Sequence, residues 1–182
     1  MKYLMCAAAL SLGLAPTAFA ADEENPFKKA KVGDWASYKM TTMAMGINID
    51  AEMKTTVKSK DDKEVKITTT AIINKMEIPG QESTIDLTKP YDPTSTANLP
   101  KGSDAKVEKA GEGEETIEVG GKKYACKWLK MKVNAKVMGQ DFESEVKVWM
   151  SKEVPLSGMV KMEMKSQIAN MTMELKETGS GK

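Results

Sequence analysis

The chain contains no histidine, and every one of its 27 basic residues is a lysine, so arginine is absent as well. Without histidine the usual general base near neutral pH, the usual partner of a nucleophile and the commonest zinc ligand are all missing. Ser-His-Asp and Cys-His hydrolase chemistry is therefore excluded. Without arginine there is no bidentate fork for phosphate, and 27 lysines against 26 acidic residues create no basic field. Nucleic acid is not an expected partner.

Cysteine is nearly absent, with only Cys6 and Cys126, and just one long apolar run exists. That run lies in the first twenty residues: Lys2 gives a positive start, Leu4 to Ala15 an apolar core, and Ala18-Phe19-Ala20 a small-residue cleavage site. The pattern is a secretory signal, so a secreted or periplasmic location is expected after cleavage near Ala20. Tyr3-Leu4-Met5 ahead of Cys6 lack the small residues that a lipidation site prefers. Removal of the signal leaves Cys126 alone, which forbids an intramolecular disulfide in an oxidising compartment. No later segment approaches the roughly 20 apolar residues that a membrane-spanning helix needs, so the chain is not expected to span a membrane.

What is present is period-two alternation. Residues 21–33 read as a loose polar leader, 34–178 as a single domain and 179–182 as a disordered tail. From Ile47 to Val57 the odd positions Ile47, Ile49, Ala51, Met53, Thr55 and Val57 share a face against Asn48, Asp50, Glu52, Lys54 and Thr56, the pattern of a half-buried strand. Val65 to Ile73 alternates likewise after a turn at Asp61-Asp62-Lys63, and residues 35–45 make an earlier strand that turns at Gly46.

A short strand is expected around Thr84 to Leu87, after Pro79-Gly80. Residues 89–103, with three prolines, form the longest irregular connection and a candidate lid. Strands then resume at 115–119, turn at Gly120-Gly121, and continue through 123–137, where Ala125, Leu129, Met131, Val133, Ala135 and Val137 share a face broken by Lys127. A turn at 139–141 leads into 143–150, with Val146, Val148 and Met150 inward. Another at 155–158 precedes alternating Val160, Met162 and Met164, then Ala169, Met171, Met173 and Leu175.

Short turns between eight to ten strands dictate antiparallel, up-and-down neighbours. The expected fold is all-β, or β with a minor helix: an antiparallel meander whose apolar face curls inward as a half-barrel or clam. In this layout the chain resembles the extracytoplasmic lipoprotein-carrier superfamily, the LolA, LolB and LppX-like proteins. Residues 120–126 (GGKKYAC) and 148–155 (VWMSKEVP) look like the late strands of exported members of that kind. The resemblance implies an unclosed barrel that holds acyl chains or other lipids on its concave face. The chain has no arginine to match a functional position of those carriers and no evident helical lid, so no family residue is carried over.

Methionine is the most unusual component: 15 residues, of which Met1 and Met5 fall in the signal. Spacing by two in Met43/Met45, Met162/Met164 and Met171/Met173 puts each pair on one face of a strand. Thioether pairs are a plausible Cu(I) site, but adaptable methionines also pack cores or line cavities for apolar ligands. Cys126 reads as a small buried hydrophobe, Trp35, Trp128 and Trp149 as core or pocket-rim residues, and the acidic runs at 61–62 and 112–115 as solvated turns.

The expected function is non-catalytic binding or carriage of a lipid or other apolar molecule. The expected site comprises Met43, Met45, Met53, Val133, Val148, Met162, Met164, Met171 and Met173, with no catalytic residue, no metal and no cofactor. The alternative is a structural or protein-interaction β domain that fills its own core, and the third reading is Cu(I) binding by methionine pairs.

Overall fold

The computed structural model describes residues 25–44, 46–91, 106–137 and 140–181, with the side chains of 135–141 excepted. The signal segment, Met45, residues 92–105 of the candidate lid and its surroundings, and the side chains of Ala135 and Val137 lie outside the described residues. Alternation produces nine strands: β1 (Trp35–Ala44), β2 (Ile47–Lys60), β3 (Glu64–Ile73), β4 (Met76–Asp86), β5 (Lys106–Val119), β6 (Lys122–Val137), β7 (Gln140–Met150), β8 (Met159–Ser166) and β9 (Ala169–Gly179). They form one antiparallel sheet in the order β4-β3-β2-β1-β9-β8-β7-β6-β5. It is curled but not closed.

The order is a meander joined at its ends. The first and last strands pair along their whole length, from Trp35 opposite Gly179 to Ala44 opposite Ala169. The ring is interrupted between β4 and β5. This up-and-down arrangement sorts the turns into two sets. The turns after β1, β3, β6 and β8 lie at one end, called here the tip end; those after β2, β5 and β7 lie at the other, the closed end.

Local chemistry explains the turns. Gly120 and Gly121, at φ +61° and +79°, give the left-handed pair of a two-residue hairpin. At 61–63 the Asp61 carboxylate accepts hydrogen bonds from the backbone N–H groups of Lys63 and Glu64, both at 2.8 Å. These bonds hold its pKa below the usual carboxylate range.

Both edge strands are longer than the pattern predicts. β4 starts at Met76 and contains Pro79-Gly80, with a register shift opposite them between Thr69 and Ala71. Proline is tolerated because an edge strand needs no hydrogen bond on its open side. β5 starts at Lys106, and its run of charges and glycines hides a strand that is mostly exposed.

The expected leader is instead docked over residues 25–33. Asn25 caps a 3₁₀ turn (Pro26–Lys29), its carbonyl oxygen accepting from Phe27 N–H at 3.1 Å and its amide donating to Lys89 O at 3.2 Å. Phe27 is buried, with its ring 5.8 Å from that of Tyr91. At the other terminus Gly179 belongs to β9, so the expected tail begins inside the sheet.

Candidate functional site

Register places whole rows of side chains on the inner face. One runs through direct partners across eight strands: Leu129, Val148, Met162, Met173, Met40, Ala51, Ile73 and Met76. The next row toward the tips is Met131, Val146, Met164, Met171, Thr42 and Ile49. Met162 faces Met173 and Met164 faces Met171, so the expected pairs along each strand become pairs across strands as well.

Burial divides these rows. Val133, Val148, Met162 and Met173 are 2–8% exposed and belong to the packed core, whereas Met53, Met164 and Met171 are half-buried against it. Along the first row Leu129, Val148, Met162, Met173 and Ala51 are 2–8% exposed, Met40 and Ile73 are half-buried, and Met76 on the β4 edge reaches 66%. Sequence pairing missed Met40, which sits between Met173 and Ala51.

Met43 departs from the expected site. It stands between Asn48 and Asn170 on the outer face and is 52% exposed. Spacing by two fixes which methionines share a face but not which face, and Met40 has the inward parity. Met45 is outside the described residues.

Ala125 keeps the parity of Leu129, since the register of β6 is unbroken between them, yet it is exposed, while Tyr124 and Cys126 of the opposite parity are buried. The start of β6 extends past the end of β7, and Glu153 of the 151–158 loop pairs there with Lys122 at 3.4 Å. The Lys122 ammonium lies 4.7 Å from the Tyr124 ring centre. Tyr124 and Cys126 thus meet that loop, which explains why Lys127 breaks the alternation. Burial, with the carboxylates of Glu115 and Glu153, pushes the Cys126 thiol up to about 11, so it stays protonated and unreactive at neutral pH.

The outer face carries lysine and glutamate. Lys161 bridges Glu163 and Glu174 at 3.1 Å each, and Lys176 binds Glu52 at 2.9 Å. Such exposed pairs contribute at most about 1 kcal/mol each. The three tryptophans lie on this face, with Trp149 buried there. Trp128 covers Gly113 directly across the pair, where a Cβ would fall 2.8 Å from the ring, and Trp35 covers Gly179 in the same way at 2.5 Å. Glycine leaves room for the indole, which shields backbone that a side chain would otherwise cover. Lys147 lies between Trp128 and Trp149, 4.4 Å and 4.3 Å from their ring centres, and donates to Glu115 at 2.8 Å. Trp149 Nε1 donates to the same carboxylate. This cluster fastens the edge strand β5 to β7.

The larger recess is at the closed end, not beside the exposed apolar side chains. It measures about 1500 Å³ and its lining is more apolar than polar: Tyr91, Met150, Val154 and Leu156 stand beside Glu114 and Glu153. Among the described residues, no group of three or more His, Cys, Asp or Glu could hold a metal ion, and no helix is long and apolar enough to cross a membrane.

Fold and faces together define a class: a single curled antiparallel sheet, open between two edge strands, with an apolar inner surface. No family model and no curated protein sequence matches the chain. Two solved structures share its architecture. One is a protein with a YmcC-like fold, inferred to be exported, from Bacteroides fragilis; the TM-score is 0.54 at 10% identity, covering 83% of this chain and 97% of that one. The other is a protein inferred to be a lipoprotein from Parabacteroides distasonis, with TM-score 0.50 at 11% identity, covering 82% and 96%. At these identities the likeness concerns the fold.

Proposed function

We propose that the chain is an exported, non-catalytic binding protein that holds an apolar ligand against the tip-end part of its inner face. One observation carries the reading: an apolar row continuous across eight strands is sealed at one side and reaches 66% exposure at the other. The surface left uncovered is lined by Met40, Met53, Ile49, Ile73, Met76 and Ile78. Half-buried methionines there adapt to a chain of variable shape. Each ligand methylene removed from water contributes about 0.8 kcal/mol. The signal segment supports export, and the two structural likenesses agree with it.

A second reading has its own support. Val148 and Met162 are 2% and 4% exposed, so the centre of the sheet is filled by its own side chains. In that reading the domain works through protein contacts at its edges. Native mass spectrometry of protein purified from its own host separates the two. A co-purified lipid, lost on Ile73→Asp with the fold retained, is expected. A bare polypeptide mass, alone or as an oligomer, would replace the first reading with the second.

A further inference from the structure

Large apolar side chains are exposed very unevenly. Among the described residues Met43, Ile47, Ile72, Met76, Ile78, Val107 and Ile168 are 37–66% exposed, and all seven lie at the tip end; only Val32 is exposed elsewhere. A soluble protein rarely gathers exposed apolar groups in this way without a binding purpose.

Their placement limits what can cover them. Ile47, Met76, Ile78 and Val107 have inward parity, Met43 and Ile72 outward parity, and Ile168 sits in the turn after β8. A ligand inside the curl cannot reach the outward pair. An occupant that meets both faces at once must approach the end of the sheet as a whole.

The sequence of the turns points the same way. Turns ordinarily concentrate polar residues, and those of the closed end do so: 59–64 is SKDDKE and 118–123 is EVGGKK. At the tip end 43–47 is MAMGI, 137–140 is VMGQ and 166–170 is SQIAN, none with a charge. The fourth tip-end turn, 73–76 (INKM), carries one charge, Lys75, and the flanking charges, Asp50, Glu77, Lys106, Glu108, Lys136, Asp141 and Lys165, are of both signs, so the rim offers little net electrostatic pull on a charged partner. Hairpin tips that carry a single lysine among them, ringed by charges of both signs, match a hydrocarbon layer beneath zwitterionic headgroups.

We infer that the tip end is a docking surface for a lipid bilayer, entered by the apolar hairpin tips to the depth of the headgroup and acyl boundary. Burial to about 5–10 Å suffices for side chains of this size. The inference stands apart from the ligand reading, because Met43 and Ile72 contribute to docking and not to the inner face.

Flotation of the chain from Ala21, stripped of lipid, with phosphatidylcholine vesicles tests it. The protein is expected to float with these neutral vesicles equally at low and high salt. Combining Ile47→Ser, Met76→Ser and Ile168→Ser should lower the vesicle partition coefficient about tenfold or more, as should Met43→Ser with Ile72→Ser to a smaller degree. Val32→Ser should leave it unchanged. All these positions are exposed, and thermal melts would confirm that each variant folds. Absence of flotation would overturn the proposal. So would binding only to vesicles containing phosphatidylglycerol that salt abolishes, which would mean adsorption by lysines. A concentration-dependent dimer without flotation, lost in the triple variant, would assign the surface to a second copy of the chain instead. Loss of flotation in the outward pair with native ligand retained would separate docking from ligand holding.

Discussion

The closed end and the tip end are built from the same nine strands, yet one buries its apolar side chains around a recess and the other leaves them exposed. At the closed end Ala36, Val57, Val65 and Val160 are 0–1% exposed, Phe27 and Leu87 add to the same core, and the turns are charged or capped. At the tip end Ile47 and Met76 exceed 60% exposure and the turns carry little charge. The alternating pattern is the same at both ends, so alternation alone does not decide what is covered. Segments that fold over the sheet decide it: the docked 25–33 stretch and the 151–158 loop lie at one end only.

The largest expected effect is a contrast in stability between the ends. Phe27→Ala should cost about 3–5 kcal/mol, as loss of a buried aromatic does, while Met76→Ala should change stability by no more than about 0.5 kcal/mol. Urea denaturation of the two variants checks this. Equal costs would mean that the tip end is as well packed as the closed one.

A smaller effect is expected where indole covers glycine. Gly113→Val forces the Trp128 ring off β5, since even a Cβ would fall 2.8 Å from it. A loss of about 1–3 kcal/mol is expected. Tryptophan fluorescence during denaturation should show edge strand β5 loosening before the centre of the sheet.

Acid should act on the closed end first. Backbone hydrogen bonds from Lys63 and Glu64 lower the Asp61 pKa, and the Thr88 hydroxyl and N–H lower that of Asp86. A carboxylate with a depressed folded pKa stabilises the fold above its unfolded value, and that stabilisation disappears as pH falls through the folded value. Stability should therefore be flat from neutral pH to about 5 and fall below about 4, the ordinary carboxylate range. Hydrogen exchange should show the 61–64 turn and the 86–88 segment opening earliest. Earlier opening at 43–47 would reverse the comparison.

Much of this was legible from residue order. The alternation of 47–57, 65–73 and 160–164, and the glycine pair at 120–121, located strands, turns and the curl, because each is a local signal. β4 and most of β5 were not legible: an edge strand tolerates Pro79, and it tolerates the charges and glycines of 106–115, since one side of its backbone stays unpaired. The pairing of β1 with β9 depends on contacts between residues more than a hundred positions apart, for which the chain carries no local mark. The candidate site was legible in type but not in detail. Methionine pairs pointed to the inner face, yet only long-range register shows that Met43 turns outward, that Met40 turns inward, and that Met162 and Met173 are sealed.

The methionines themselves give the most direct measurement of the central claim. In the chain labelled with ¹³C-methyl methionine, titration with a short-chain fatty acid or monoacyl lipid should shift the methyl resonances of Met40, Met53, Met76, Met164 and Met171. Those of Met131, Met162 and Met173 should stay in place. No shift at any site, or shifts at Met43 alone, would contradict an uncovered inner surface that takes a hydrocarbon chain.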